Sequence, residues 1–180
     1  MIKKKKILIF GKNSQLGKTF RKKIFFNNVK NFNVRYLTSS ECNFKKKSDI
    51  LSSINYYMPN IIINFASYNN VEKAEYDKSC FKINANAVNI INNICIKKKI
   101  FFIHFSSDYV FNGLFNKAYK ENDIKKPLNE YGKSKSNGEE FIIKSVNKNF
   151  LILRISWLYS KFNNNFPKKI IQSLKNKKKI

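Results

Sequence analysis

The chain has 180 residues, 43% of them hydrophobic, which is long enough to bury a core and too apolar for wholesale disorder. Its formal net charge is +25, carried by 36 Lys+Arg of which only Arg21, Arg35 and Arg154 are arginine. A nucleic-acid groove would draw on arginine for base edges and bidentate phosphate contacts, so lysines spread from end to end read as a solvated surface.

The start, MIKKKKILIF, pairs a basic end with an apolar run, but ILIF is too short for a secretory core. KILIF (6–10) reads as a strand and QLGKTFRKKIFF (15–26) as a helix. Between them lies GKNSQLG, with two of the chain's 5 glycines, Gly11 and Gly17, at the turn. A glycine turn between strand and helix can cradle a pyrophosphate on the helix N-terminus. Ser14 stands where a middle glycine is expected; it can cap the helix, but its Cβ narrows the approach.

NVRYL (33–37) is a second strand, followed by Thr38, Ser39 and Ser40 and by no acidic residue directly. Without a carboxylate there to pair the ribose hydroxyls, NADP(H) is permitted. DILSSINYYM (49–58) is a second helix and NIIINF (60–65) a third strand behind Pro59. From Asp77 to Lys98, Phe81, Ile83, Ala87, Ile90, Ile91 and Ile94 keep helical spacing and predict one helix. IFFIHFS (100–106) is a fourth strand, 129–146 a helix, FLILRIS (150–156) a fifth strand and 167–175 a last helix.

Apolar strands alternating with helices predict an α/β fold: a Rossmann-like doubly wound parallel sheet, helices on both faces, as one NAD(P)-binding domain over 1–180. Its crevice gathers the ends of strands one, three and four. Cys42, Cys80 and Cys95 are odd in number and lack metal-like spacing, so reduced thiols in a cytoplasm and no metal site are expected. His104, the one histidine, sits in an apolar run and reads as structural. The excess of Lys, Asn, Ile, Phe and Tyr is the mark of an AT-rich genome.

PLNEYGKSKSNGEE (127–140) places Tyr131 and Lys135 one helical turn apart on one face. With 9 Tyr among so many lysines, roughly one or two such pairs are expected by chance. Its surroundings decide. GKNSQLG, PNIIINFASYNNVEKAE (59–75), HFSSDYVFNG (104–113), PLNEYGKSKSNGE (127–139), LRISWLYS and FNNNFPK follow one another in an order and spacing that resemble the dTDP-4-dehydrorhamnose reductases, members of the extended short-chain dehydrogenase/reductases.

That resemblance implies hydride transfer from a nicotinamide to the 4-keto group of a nucleotide sugar. It casts Tyr131 as proton donor, Lys135 as the charge that lowers the phenol's pKa and holds the nicotinamide ribose, and Ser107 as the hydroxyl that orients the substrate oxygen. It implies cofactor contacts at Gly11, Ser14, Gln15, Leu16 and Gly17, adenine flanked by Asn43 and Phe44, and Ala66, Ser67 and Tyr68 along the nicotinamide half. Asp108, Trp157 and Glu72 are implied substrate contacts. NADPH is the implied cofactor, with NADH also accepted. Members of that family run on beyond the point where KNKKKI ends this sequence, so a homodimer or a complementing C-terminal polypeptide is an expected partner beside the nucleotide sugar. No membrane and no specific nucleic acid is expected. Two other readings fit parts of the sequence: a non-catalytic NAD(P)-binding module of the same fold, and a basic nucleic-acid binder motivated by the +25 charge.

Overall fold

A computed structural model describes residues 4–26, 31–114, 116, 118–146, 148–163 and 165–176. Asn164 of FNNNFPK and the last four residues of KNKKKI lie outside them. The apolar runs form five parallel strands, β1 (Lys5–Phe10), β2 (Phe32–Leu37), β3 (Ile61–Asn64), β4 (Phe101–Ser107) and β5 (Phe150–Ile155), in the order β2-β1-β3-β4-β5. The long helices between them are α1 (Gln15–Phe26), α2 (Lys47–Tyr57), α5 (Ala87–Lys98), α6 (Glu130–Ile143) and α7 (Phe166–Lys175), with short α3 (Val71–Ala74) and α4 (Ser79–Phe81) after β3.

The strands carry apolar residues at successive positions because both sheet faces are covered. Leu8, Phe10, Ile62 and Phe102 point to one side, where Ile50 and Ile54 of α2, Val88 and Ile91 of α5 and Ile142 of α6 close over them. Ile7, Ile9, Ile63 and Phe65 point to the other, where Leu16 and Phe20 of α1 pack. This is the expected Rossmann-like doubly wound sheet. Strand order reverses between β1 and β3, which opens a crevice beyond their carboxyl ends.

Helix starts follow local capping. The Asn129 side chain accepts from Gly132 N at 2.7 Å and opens α6, and the Asn165 side chain accepts from Lys168 N and opens α7 with Pro167 in its first turn. The helix predicted over 77–98 runs from Ser79 to Lys98, but not as one α-helix: α4 and α5 are joined through a π-helical turn, Lys82–Asn86, and the short helix α3, capped by Asn70, precedes them. The cause of the widened turn is tertiary: the Asn84 side chain is held by the backbone at Tyr68, and its carbonyl faces Gly138 of α6. Among the described residues β5 pairs with β4 alone, and its Leu151 and Leu153 are exposed. Among the described residues no helix is long and apolar enough to cross a membrane.

Candidate functional site

The turn after β1 is stitched to the end of β2: the N–H groups of Gly11 and Lys12 both donate to the Leu37 carbonyl at 3.0 Å. Gly11 has φ +86°, and a Cβ there would stand 2.6 Å from Ala66 N; one on Gly17 would stand 2.2 Å from the Gly11 oxygen. Both positions therefore require glycine. Ser14 caps α1, its Oγ accepting from Gly17 N at 3.0 Å. The N–H groups of Gln15 and Leu16, at the first positions of α1, have no carbonyl of that helix to meet. Glycine cradle, open N–H groups and helix N-terminus suit a dinucleotide's pyrophosphate.

Beside this turn lies a cavity of about 320 Å³. Ser14, Gln15 and Leu16 form one wall and Ser107, Asp108 and Tyr109 another, while Tyr131 and Lys135 enter from α6 and Ile155 to Leu158 from the end of β5 onward. Tyr131 sits edge-on to Tyr109, ring centroids 5.5 Å apart. Burial pushes the Tyr131 phenol above its ordinary value; hydrogen bonds with Ser107 and Ser67 work against that, and the Asp108 charge adds to it. Ser107 Oγ donates to Asp108 Oδ1 at 2.9 Å, and Ser156 Oγ donates to Asp108 Oδ2 at 2.6 Å. Lys135 is buried and donates from Nζ to the Phe105 carbonyl at 2.6 Å. Burial pulls its ammonium down to about 8, with Glu139 pulling the other way. Burial dominates the phenol, and the ammonium is engaged with a backbone carbonyl.

The remaining expected residues divide. Ser67 lines the cavity, whereas Ala66 packs behind it against Gly11, and Tyr68 is held through its backbone by Asn84, with its phenol toward Asp77. Trp157 lines the far rim, 69% exposed and edge-on to Phe166, so it is not a core residue. Glu72 is exposed on α3 and does not line the cavity. Asn43 is half-buried, its side chain accepting from Lys45 N. The Phe44 side chain, expected beside an adenine, instead enters the core, edge-on to Phe10 at 5.1 Å. An apolar ring next to a buried strand gains more from the core than from a solvent-facing groove.

One acidic residue was hidden by its spacing. Thr38 N and Oγ1 both donate to Glu41 Oε2 at 2.8 Å, so a carboxylate does stand at the end of β2. These Thr38 bonds, then the charges of Lys12 and Arg35, hold it below the usual carboxylate range. Asn84 was also missed. Its Oδ1 accepts from Tyr68 N at 2.9 Å and Ser67 Oγ at 3.1 Å, and its Nδ2 donates to Tyr68 O at 2.9 Å and Ser134 Oγ at 3.0 Å. Ser134 Oγ in turn donates to Tyr131 O at 2.7 Å. A buried amide inside an apolar helical pattern, KINAN, was the available signal.

Sheet order, crevice and the helix that brings Tyr131 and Lys135 to it define a Rossmann-like doubly wound protein with a hydroxyl-rich cavity at its switch point. More particularly, the chain belongs to the family described as the RmlD substrate binding domain, whose pattern it matches over residues 5–180. It is 35% identical over 96% of its length to a dTDP-4-dehydrorhamnose reductase of Aggregatibacter actinomycetemcomitans, of which it covers 58%. A dTDP-4-dehydrorhamnose reductase from Bacillus anthracis, solved in complex with NADP, superposes with a TM-score of 0.89 at 30% identity, covering 98% of this chain and 62% of that one. The Bordetella bronchiseptica enzyme WbmH, solved with NAD+, shares 14% identity at a TM-score of 0.81 over 98% of this chain and 64% of its own, and bears on the fold alone. The chain thus spans about 58% of the length of the curated relatives it matches most fully.

Proposed function

We propose that residues 1–180 form the dinucleotide-binding and proton-donating unit of a dTDP-4-dehydrorhamnose reductase, which reduces the 4-keto group of dTDP-4-dehydro-6-deoxy-L-mannose to give dTDP-L-rhamnose. The observation that carries this reading is the convergence of Tyr131, Ser107, Ser67 and Lys135 with the α1 N-terminus on one cavity. Gly11, Gly17 and the first N–H groups of α1 would hold the pyrophosphate. NADPH is the favoured cofactor, since a relative so similar is solved with NADP, and NADH is the second choice. Bound, the nicotinamide supplies the hydride that the sugar's C4 gains.

Tyr131 gives its phenolic proton to the sugar's O4 as C4 is reduced. A phenol held high by burial is fully protonated at neutral pH and therefore ready to donate. Ser107, hydrogen-bonded to that phenol, orients the keto oxygen against it, and Asp108 fixes Ser107. Lys135, charged below about 8, stabilises the phenolate left behind and binds the nicotinamide ribose. Trp157, exposed on the rim, offers a face to the sugar.

A fluorescence titration of the chain with NADPH comes first, then turnover with the nucleotide sugar. Tyr131→Phe is expected to lose at least ~10²-fold in turnover, the scale of placed proton transfer, while NADPH affinity stays within a few-fold. A folded chain that binds neither NADPH nor NADH would overturn the reading. Binding without turnover favours a non-catalytic module, a reading supported by the exposed far rim, where α7 buries none of its residues.

A further inference from the structure

α6 carries a second buried ion one turn beyond Lys135. Glu139 is 0% exposed, and its carboxylate accepts from Arg154 Nε at 2.9 Å and Nη2 at 2.8 Å as a two-pronged pair, with Lys125 Nζ 3.4 Å away. Arg154 comes from β5, where it stands opposite Ser106, and its Nη1 also donates to the Glu121 carbonyl at 2.9 Å. Lys125 bridges onward to Glu140 at 2.9 Å. One carboxylate therefore joins α6, β5 and the segment leading to Pro127. Burial alone would push Glu139 up, but Arg154 and Lys125 outweigh it and hold the carboxyl below its usual range. It is an anion fixed in place.

We infer that Glu139 is a positioning residue for Lys135: its immobilised carboxylate keeps the buried ammonium charged and directed at the cavity. Among the described residues, Lys135 has no carboxylate among its hydrogen bonds, and its ammonium donates to the Phe105 carbonyl. The groups that face it are Glu139 on its own helix, Cys80 of α4, His104 of β4, and Tyr131 one turn earlier. Of these Glu139 is the permanent anion. Cys80 is a thiol held protonated by burial, and His104 is neutral. Removing the Glu139 charge also leaves Arg154 without its carboxylate, so both changes drive Lys135 towards the neutral amine. The Arg154 pair fixes where that carboxylate sits while setting a cation on its far side, which opposes the charge on Lys135. The bearing on hydride transfer rests on the function proposed above; the charge coupling does not.

The test reads the coupling without turnover. Unfolding equilibria of wild type and Lys135→Met are compared at pH 7 and pH 9. With the folded ammonium titrating near 8 against 10.5 in an open chain, the ratio of their unfolding constants should change about tenfold over that interval. The same comparison in a Glu139→Gln background should steepen towards about a hundredfold, because the folded lysine is then neutral throughout while the unfolded one is charged. Glu139→Asp, which keeps the charge, should stay near tenfold, and Arg154→Gln, which removes an opposing cation, should fall below it. If Glu139→Gln does not fold, Arg154→Gln still decides the matter, since only a charge cluster felt at Lys135 moves the ratio there. A purely structural Glu139 would leave the ratio unchanged in every background, and that result overturns the inference. NADPH titration of the same samples separates the two claims: loss of coupling with NADPH binding intact sinks this inference alone, and the reverse sinks the proposed function alone.

Discussion

Gly138→Ala sets two effects of opposite sign against each other. Inside a helix the exchange ordinarily stabilises by up to about 1 kcal/mol, because alanine loses less freedom on folding. Here the new Cβ would lie 2.3 Å from the Asn84 carbonyl oxygen, more than an ångström inside the 3.4 Å at which ordinary contact begins. Neither partner can yield cheaply. The Asn84 oxygen belongs to the π turn, whose side chain is tied to both backbone groups of Tyr68, and α6 is pinned by buried Ile142 and Glu139. Overpacking of this kind costs about 1–3 kcal/mol, and a backbone clash at 2.3 Å belongs at the upper end, so after the helix gain the net expectation is a loss of about 2 kcal/mol. Urea unfolding should show a lower midpoint with an unchanged slope. A midpoint equal to or above wild type would refute the packing argument and leave helix propensity in command. Because α6 also carries Tyr131 and Lys135, the same variant should weaken NADPH binding.

Two further outcomes follow from single contacts. Ser14→Ala removes the Oγ that caps α1 and should cost about 1 kcal/mol in thermal or urea unfolding, whereas Ser14→Gly should cost only a few tenths. Ser14→Gly should also tighten NADPH, since the Cβ beside the pyrophosphate is gone; equal or weaker binding would show that the serine does not crowd that place. His104 is held well below its ordinary 6.5, first by burial and then by the Lys135 ammonium. The unfolded chain therefore takes up a proton below about pH 6.5 that the folded chain refuses, so this ring's contribution is full above that pH and is lost as pH falls. His104→Gln should flatten the decline in unfolding free energy between pH 6.5 and pH 5 by up to about 1.4 kcal/mol per pH unit; parallel curves for the two proteins would exclude it.

The strands were legible because burial on both faces leaves unbroken apolar runs such as KILIF and NIIINF, bounded by Gly11 and Pro59. Asn129 and Asn165 cap their helices through bonds to N–H groups three residues on, chemistry local enough to fix where those helices start. What escaped reading acts at a distance. Phe81, Ile83, Ala87 and Ile90 fit a helix with or without the π turn, and the cause of that turn, the grip of Asn84 on Tyr68, spans sixteen positions. Glu41 is three residues past the place where an acidic residue is usually sought, and only the fold of the 38–41 turn brings it back to Thr38. Phe44 and Trp157 are both large apolar rings; local pattern does not say that one enters the core while the other, at φ +48°, stands on the rim. Tyr131 and Lys135 stood out by spacing and were singled out by the motifs around them. Their protonation depends on burial and on Glu139, whose partner Arg154 arrives from another strand.

The π turn at Lys82–Asn86 also sets an angular phase. Each residue advances a helix by about 100°, so one extra residue per turn rotates everything before it relative to everything after. Cys80, ahead of the turn, can thus face Ser134 on α6, while Val88 and Ile91, beyond it, face the sheet core. A continuous α-helix through the same residues could satisfy one of these neighbours and would swing the other sideways. The irregular turn acts as a fixed gear offset between the part of the molecule that gathers reactive side chains and the part that holds the sheet together.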